Sequence, residues 1–146
     1  MAITSAICNS FKVEILKAVH NFTASSGNSF KLALYTSSAS LGAGTTAYAS
    51  TNEISNTSGS AYTAGGKALT SVTPVLSSST AVCDFGDISF TSASFTANGC
   101  LIYNDTVSGD PAVCVVAFGS DKTVSSGTFT IQFPAADASN AIVRIA

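Results

Sequence analysis

From residue 67 onward, apolar and polar residues alternate in short runs separated by turn residues. This pattern predicts strands at 67–75, 81–85, 95–103, 112–118, 128–133 and 141–146. Between them stand Ser77-Ser78-Ser79, Asn104-Asp105-Thr106, Ser108-Gly109-Asp110 and Gly119-Ser120-Asp121-Lys122. An earlier strand is expected where Phe30, Leu32 and Leu34 alternate with Lys31, Ala33 and Tyr35, as on a half-buried sheet. The connections are too short for crossover helices, so antiparallel pairing follows. Many short strands at fairly regular spacing predict a mainly β chain: an antiparallel β-sandwich, jelly-roll or immunoglobulin-like. The last predicted strand should build the C-terminus into a sheet.

The opening of the chain has a different period. Cys8, Phe11, Ile15, Val19 and Phe22 recur at spacings of three and four. They predict one N-terminal α-helix over 4–24, capped by Thr4 or Ser5 and ending before Ser25-Ser26-Gly27-Asn28. One helix cannot bury its stripe alone, so it must lie on its own sheet or on a neighbouring subunit. Residues 36–66 are rich in Ser, Thr, Gly, Ala and Asn, with room for one short strand at 45–49. Loops this long in compact domains are usually functional or ordered by a partner. The expected organisation is a single domain over 1–146, with a β-sandwich over 29–146 that carries this loop.

Composition moves the picture toward assembly. Hydrophobic residues are 46% of 146, enough for a core, but charged residues are only 10%. An ordinary soluble domain carries roughly 25%. The chain fills the gap with 24 Ser and 17 Thr. A weakly charged surface of this kind suits a protein largely covered by neighbours. Six basic residues (Lys12, Lys17, Lys31, Lys67, Lys122 and Arg144) are scattered in sequence, and the net charge is −2. Nucleic acid is not an expected partner, because phosphate binding needs clustered Lys and Arg. No apolar run approaches the roughly 18–20 residues of a membrane-crossing helix, and no membrane role is expected. Residues 1–10 lack a basic start, and Lys12 and Glu14 interrupt any apolar core of a signal peptide. The expectation is a protein made and used without export.

Candidate chemistry is sparse. Cys8, Cys83, Cys100 and Cys114 are far apart, and the last three sit in apolar segments. They read as small buried hydrophobes, with a Cys100–Cys114 disulfide and metal binding as the alternatives. Asp84-Phe85-Gly86-Asp87 reads as a turn between strands, with Ca²⁺ as a lesser option. His20, the one histidine, would need a nucleophile and an orienting carboxylate to act as a base. Asn21-Phe22-Thr23, Asn56-Thr57-Ser58 and Asn104-Asp105-Thr106 match N-x-S/T, as chance provides in so Ser/Thr-rich a chain. Residues 117–134 read as strand, turn, strand, with Phe129, Ile131 and Phe133 on one face. No catalytic residue, metal site or cofactor is predicted, and the chain does not read as an enzyme.

Several stretches together resemble a family of small virion proteins of tailed bacteriophages. They are the helix with Phe11, Leu16, His20 and Phe22, then FKLALYTSSA (30–39), YTAGGKALT (62–70), SFTANGCLIYN (94–104), FGSDKT (118–123), GTFTIQFP (127–134) and NAIVRIA (140–146). The chain departs from the pattern associated with that family at Asn98 (basic there), Ala117 (acidic there), and Cys83, Cys100 and Cys114 (Ala or Val there). The resemblance implies a capsid decoration (cement) protein. Such a protein binds the outer face of the assembled major capsid shell, commonly as a trimer or dimer of itself. It implies a place on the virion capsid surface after synthesis in the host bacterial cytoplasm.

On this reading the partner contacts are expected in the helix face (Phe11, Ile15, Val19) and in the long loop (Tyr48, Tyr62). The alternative for the helix face is packing on its own sheet. The alternative for the whole protein is a neck, tail or fibre component, with a glycan-binding sandwich that uses Tyr35, Tyr48 and Tyr62.

Overall fold

The computed structural model describes residues 1–55 and 59–146; the Asn56-Thr57-Ser58 match lies outside the described residues. The fold is mainly β, with two antiparallel sheets and one short helix. In chain order the elements are β1 (Ala6–Ile7), α1 (Asn9–Leu16), β2 (Phe30–Tyr35), β3 (Lys67–Ala68), β4 (Ser71–Ser77), β5 (Thr80–Phe85), β6 (Ile88–Asn104), β7 (Ala112–Ile131) and β8 (Val143–Ile145). The larger sheet has the order β1-β7-β6-β2-β3, and the smaller β4-β5-β8. A β-sandwich with an N-terminal helix is what the alternating pattern predicts.

The core belongs chiefly to β2, β6 and the first half of β7. β2 is buried along nearly its whole length, not on alternate residues as expected. Beyond the short β3, its outer edge is met by Asn52, Ile54 and Tyr62 of the long loop. Ile54 N–H donates to Leu34 O, Thr36 N–H donates to Asn52 O, and the Tyr62 hydroxyl accepts from Leu34 N–H. The predicted strand over 67–75 is two strands, β3 and β4, in different sheets. Residues 45–49 form one isolated bridge, Ala47 to Pro111, rather than a strand.

The predicted hairpin at 117–134 is instead one strand. β7 runs 20 residues beside the 17 of β6. Ala97 pairs with Lys122 and Gly99 with Ala117, so residues 118–121 bulge opposite Asn98. Gly119 takes φ +78° there, and Asn98 Nδ2 donates to Asp121 Oδ1 at 2.8 Å. The turn residues therefore bend the ribbon without reversing it. Phe129, Ile131 and Phe133 do share a half-buried face, alternating with exposed neighbours. The other turn predictions hold. Ser77–79 joins β4 to β5, Gly86-Asp87 joins β5 to β6, and 105–111 joins β6 to β7.

All four cysteines are free thiols, three buried and Cys83 half-buried. Cys100 pairs with Val116 and Cys114 with Ile102, so the two sit off register rather than opposite each other. Burial pushes the Cys83 thiol up to about 11 and the Cys100 thiol up to about 12. Burial, then the charge of Glu14, pushes Cys8 up to about 11. Cys114 is raised well above its ordinary value, again by burial first. An unfolded chain releases these protons near pH 9 while the native state keeps them. Stability is therefore insensitive to these groups below about pH 8 and falls as pH rises from about 9 through 11. The expected slope is about 1.4 kcal/mol per pH unit for each buried thiol. Urea midpoints at pH 7, 9 and 10.5, compared with those of a Cys100→Val, Cys114→Val variant, measure it; the variant should lose less at high pH.

Candidate partner-binding surface

The helix is shorter than its apolar stripe. Residues 3–7 are recruited by the sheet instead: Ile3 bridges Leu41, and Ala6 and Ile7 pair with Val115 and Cys114. Ser5, one of the expected caps, accepts from Ala117 N–H with its Oγ at 2.9 Å. Cys8, extended at φ −66° and ψ 140°, takes the N-cap position with no side-chain hydrogen bond. At the far end Ala18 adopts φ 57°. Ala18 N–H donates to Ile15 O and Val19 N–H to Glu14 O, the paired bonds of a Schellman cap. The helix therefore covers Asn9–Leu16, not 4–24.

The stripe itself faces inward. Phe11 is only 3% exposed, with its ring 5.0 Å from His20 and 6.0 Å from Phe22. Ile15 and Val19 are half-buried. Phe11 thus belongs to the core, as the own-sheet alternative has it, and is not available as a partner contact. The exposed apolar residues of the helix are Val13 and Leu16, the latter 88% exposed.

His20 closes the helix against the sheet. Asn104, fully buried, accepts Thr106 N–H and Val107 N–H on Oδ1. Its Nδ2 must therefore be the group facing His20 Nδ1 (3.2 Å) and Asn28 Oδ1 (3.1 Å). Nδ1 accepts, so in the neutral ring the proton sits on Nε2 and is donated to Glu14 Oε2 at 2.8 Å. Both ring nitrogens are occupied, and none is left to serve as a base. Asn104→Leu would strand a histidine nitrogen and the N–H groups of Thr106 and Val107, while Asn28 Oδ1 would keep Asn21 N–H. It is expected to cost about 3 kcal/mol, read as a lower denaturant midpoint at unchanged slope.

The two loop tyrosines are anchors. Tyr62 is 1% exposed and donates to Glu53 Oε1 at 2.6 Å. Tyr48, half-buried, donates to Glu53 Oε2 at 2.6 Å and stacks on Tyr103 at 4.7 Å. Tyr35 is buried with its hydroxyl on Ala49 O. Burial first, then bonding to Glu53, pushes the Tyr48 hydroxyl up to about 12 and raises Tyr62 further. Tyr62 is therefore no partner contact, and the three tyrosines form no exposed platform for a sugar. Glu53, which holds this set together, is a residue that sequence reasoning missed.

The exposed apolar surface lies elsewhere. The large exposed hydrophobics among the described residues are Met1, Val13, Leu16, Val72, Val75, Leu76 and Ile145. All but Met1 lie on α1 or on the edge strands β4 and β8 of the smaller sheet. Leu76, Ala81 and Ile145 form one rung across that sheet. Between the sheet and the helix runs a cleft of about 460 Å³, with Phe11, Ile15, Thr73, Cys83, Val143 and Ile145 among its walls. Asp84 and Asp87 use Oδ1 to accept Phe85 N–H and Phe133 N–H, and no cluster of metal-ligating side chains occurs among the described residues. Comparison of the chain with family models, with curated proteins and with solved structures returns no match.

Proposed function

We propose that this chain is a decoration protein of a tailed-bacteriophage head, which binds the outer face of the assembled major capsid shell, associates with itself, and stabilises the shell by contact alone. The observation that carries the reading is the concentration of exposed apolar side chains on the helix and the smaller sheet. Among the described residues, six of the seven large exposed hydrophobics lie on α1, β4 and β8, and the five-stranded sheet contributes none. A chain with only 10% charged residues has little else to keep such a face solvated. Cover by a partner removes that surface from water, and many modest contacts repeated over a shell add up to firm attachment. The resemblance of seven stretches of the sequence to virion proteins supplies the kind of partner.

The test is copy number in purified particles of a phage that encodes this chain, by quantitative mass spectrometry against the major capsid protein. A fixed fraction of the shell subunits is expected. A few dozen copies or fewer would place the protein at the neck or tail, and absence from the particle would end the reading.

A further inference from the structure

A second cleft of about 340 Å³ lies on the same side of the molecule. Ile7, Phe11, Ile15, Leu16, Val143 and Ile145 line it, with Lys12 and Arg144 at its rim. It shares Phe11, Ile15, Val143 and Ile145 with the larger cleft, so the two make one apolar trough between α1 and β8. Along one wall runs β8, the last strand of its sheet, whose second edge pairs with no strand among the described residues. Along the other stands Leu16.

The charges around this trough choose among its possible occupants. Lys12 and Arg144 are far apart in sequence, but they lie on the two elements that wall it, α1 and β8. Neither is within ion-pair distance of a carboxylate among the described residues: Lys12 Nζ donates to Asn9 Oδ1, and Arg144 Nη1 donates to Ala138 O, near enough to Asp137 to help lower its carboxyl. Nearby Glu14 is taken by His20, and Asp137 by Asn140 and backbone N–H groups. Lys12 and Arg144, two of the chain's six cations, thus line one apolar trough in a protein of net charge −2. A second copy seated here by a two-fold axis would set these cations against themselves, which is repulsive. A membrane surface needs a convex apolar face, whereas here the apolar residues line a concavity.

We propose that the α1–β8 trough takes an extended apolar segment of a partner protein that carries carboxylates beside it; resting on the preceding reading, that partner is the shell subunit. The segment lies along the free edge of β8 with its apolar side chains against Ile15, Leu16 and Ile145, and its acids meet Lys12 and Arg144.

The test is co-sedimentation of the whole chain with undecorated shells of the major capsid protein, at about 50 and about 500 mM salt. Leu16→Asp, Lys12→Glu with Arg144→Glu, and Lys122→Glu on β7, outside the lining of both clefts, are compared. All of these residues are exposed, so circular dichroism should show each variant folded. Wild type should bind and weaken with salt, the first two variants should lose at least about tenfold in affinity, and Lys122→Glu should match wild type. Wild-type binding that the first two variants retain would overturn the trough and leave the decoration reading standing. Failure of wild type to bind shells would overturn both. Binding to phosphatidylglycerol vesicles with the same loss in the variants, and none to shells, would replace the peptide by a membrane surface and overturn the proposal.

Discussion

Glu53→Ala is expected to lower the stability of the fold by about 3–4 kcal/mol, a large share of the 5–15 kcal/mol typical of a domain. The carboxylate accepts three hydrogen bonds: from Tyr48 and Tyr62 at 2.6 Å each, and from Gly65 N–H at 2.8 Å. Bonds to an ionised acceptor are the stronger kind, and two of these donors sit on a phenol stacked or buried in the core. Alanine leaves all three donors unmet and opens a void among tyrosine rings. The loss spreads, because the Tyr62 hydroxyl also accepts from Leu34 N–H in β2. Glu53→Gln keeps one carbonyl oxygen but points an amide at a donor, so it should cost about half as much. Tyr48→Phe removes a single bond at the edge of the network and should cost about 1 kcal/mol. Urea unfolding orders the three variants. Limited proteolysis within 36–66 should show the Glu53→Ala loop opening before the rest of the fold.

This network also explains what could and could not be read in advance. The strand centres at 81–85, 95–103 and 112–118 were legible as short apolar runs bounded by turn residues; burial alternates over 93–97 and is continuous over 99–103 and 112–115. The strand ends were not. Gly119-Ser120-Asp121-Lys122 has the composition of a reversing turn, and only pairing with β6 makes it a bulge. The helix stripe at Phe11 was legible as apolar, but its limits depend on two tertiary facts: β1 is captured by β7, and Ala18 takes a left-handed conformation. Nothing about an alanine announces that conformation. Tyr48 and Tyr62 read as partner contacts because they lie in a long loop rich in Ser and Thr. The signal that argued otherwise was Glu53, the single charged residue between Lys31 and Lys67. An isolated carboxylate between two tyrosines, in a stretch with no cation, is well placed to accept from phenols. Leu16 was missed for the opposite reason. It lies off the buried stripe, and its 88% exposure is what makes it conspicuous.

Gly66→Ala should be more damaging still, because the change meets backbone rather than side chain. Gly66 has φ +85°, where an L residue pays about 1–2 kcal/mol. A Cβ there would also lie 2.0 Å from Leu32 O and 2.7 Å from Ala33 Cα, atoms fixed in the middle of β2. No rotamer change relieves that contact, so β3 must lift away from β2. With it go the pairing of Lys31 with Ala68 and of Leu32 with Lys67, and the bond from Leu69 N–H to Phe30 O. The adjacent Gly65 would be pulled from both partners, its N–H from Glu53 and its carbonyl from the Tyr103 hydroxyl. The combined loss should exceed about 4 kcal/mol, the range reserved for changes that break a buried network. Gly65→Ala is the control: its φ is also positive, at +91°, but its nearest contact would be the Tyr103 hydroxyl at 3.4 Å. It should cost only the conformational term, about 1–2 kcal/mol. Thermal unfolding of the two variants side by side separates strain from collision. Equal melting temperatures would mean that β3 can move without loss and that the loop is fastened by Glu53 alone.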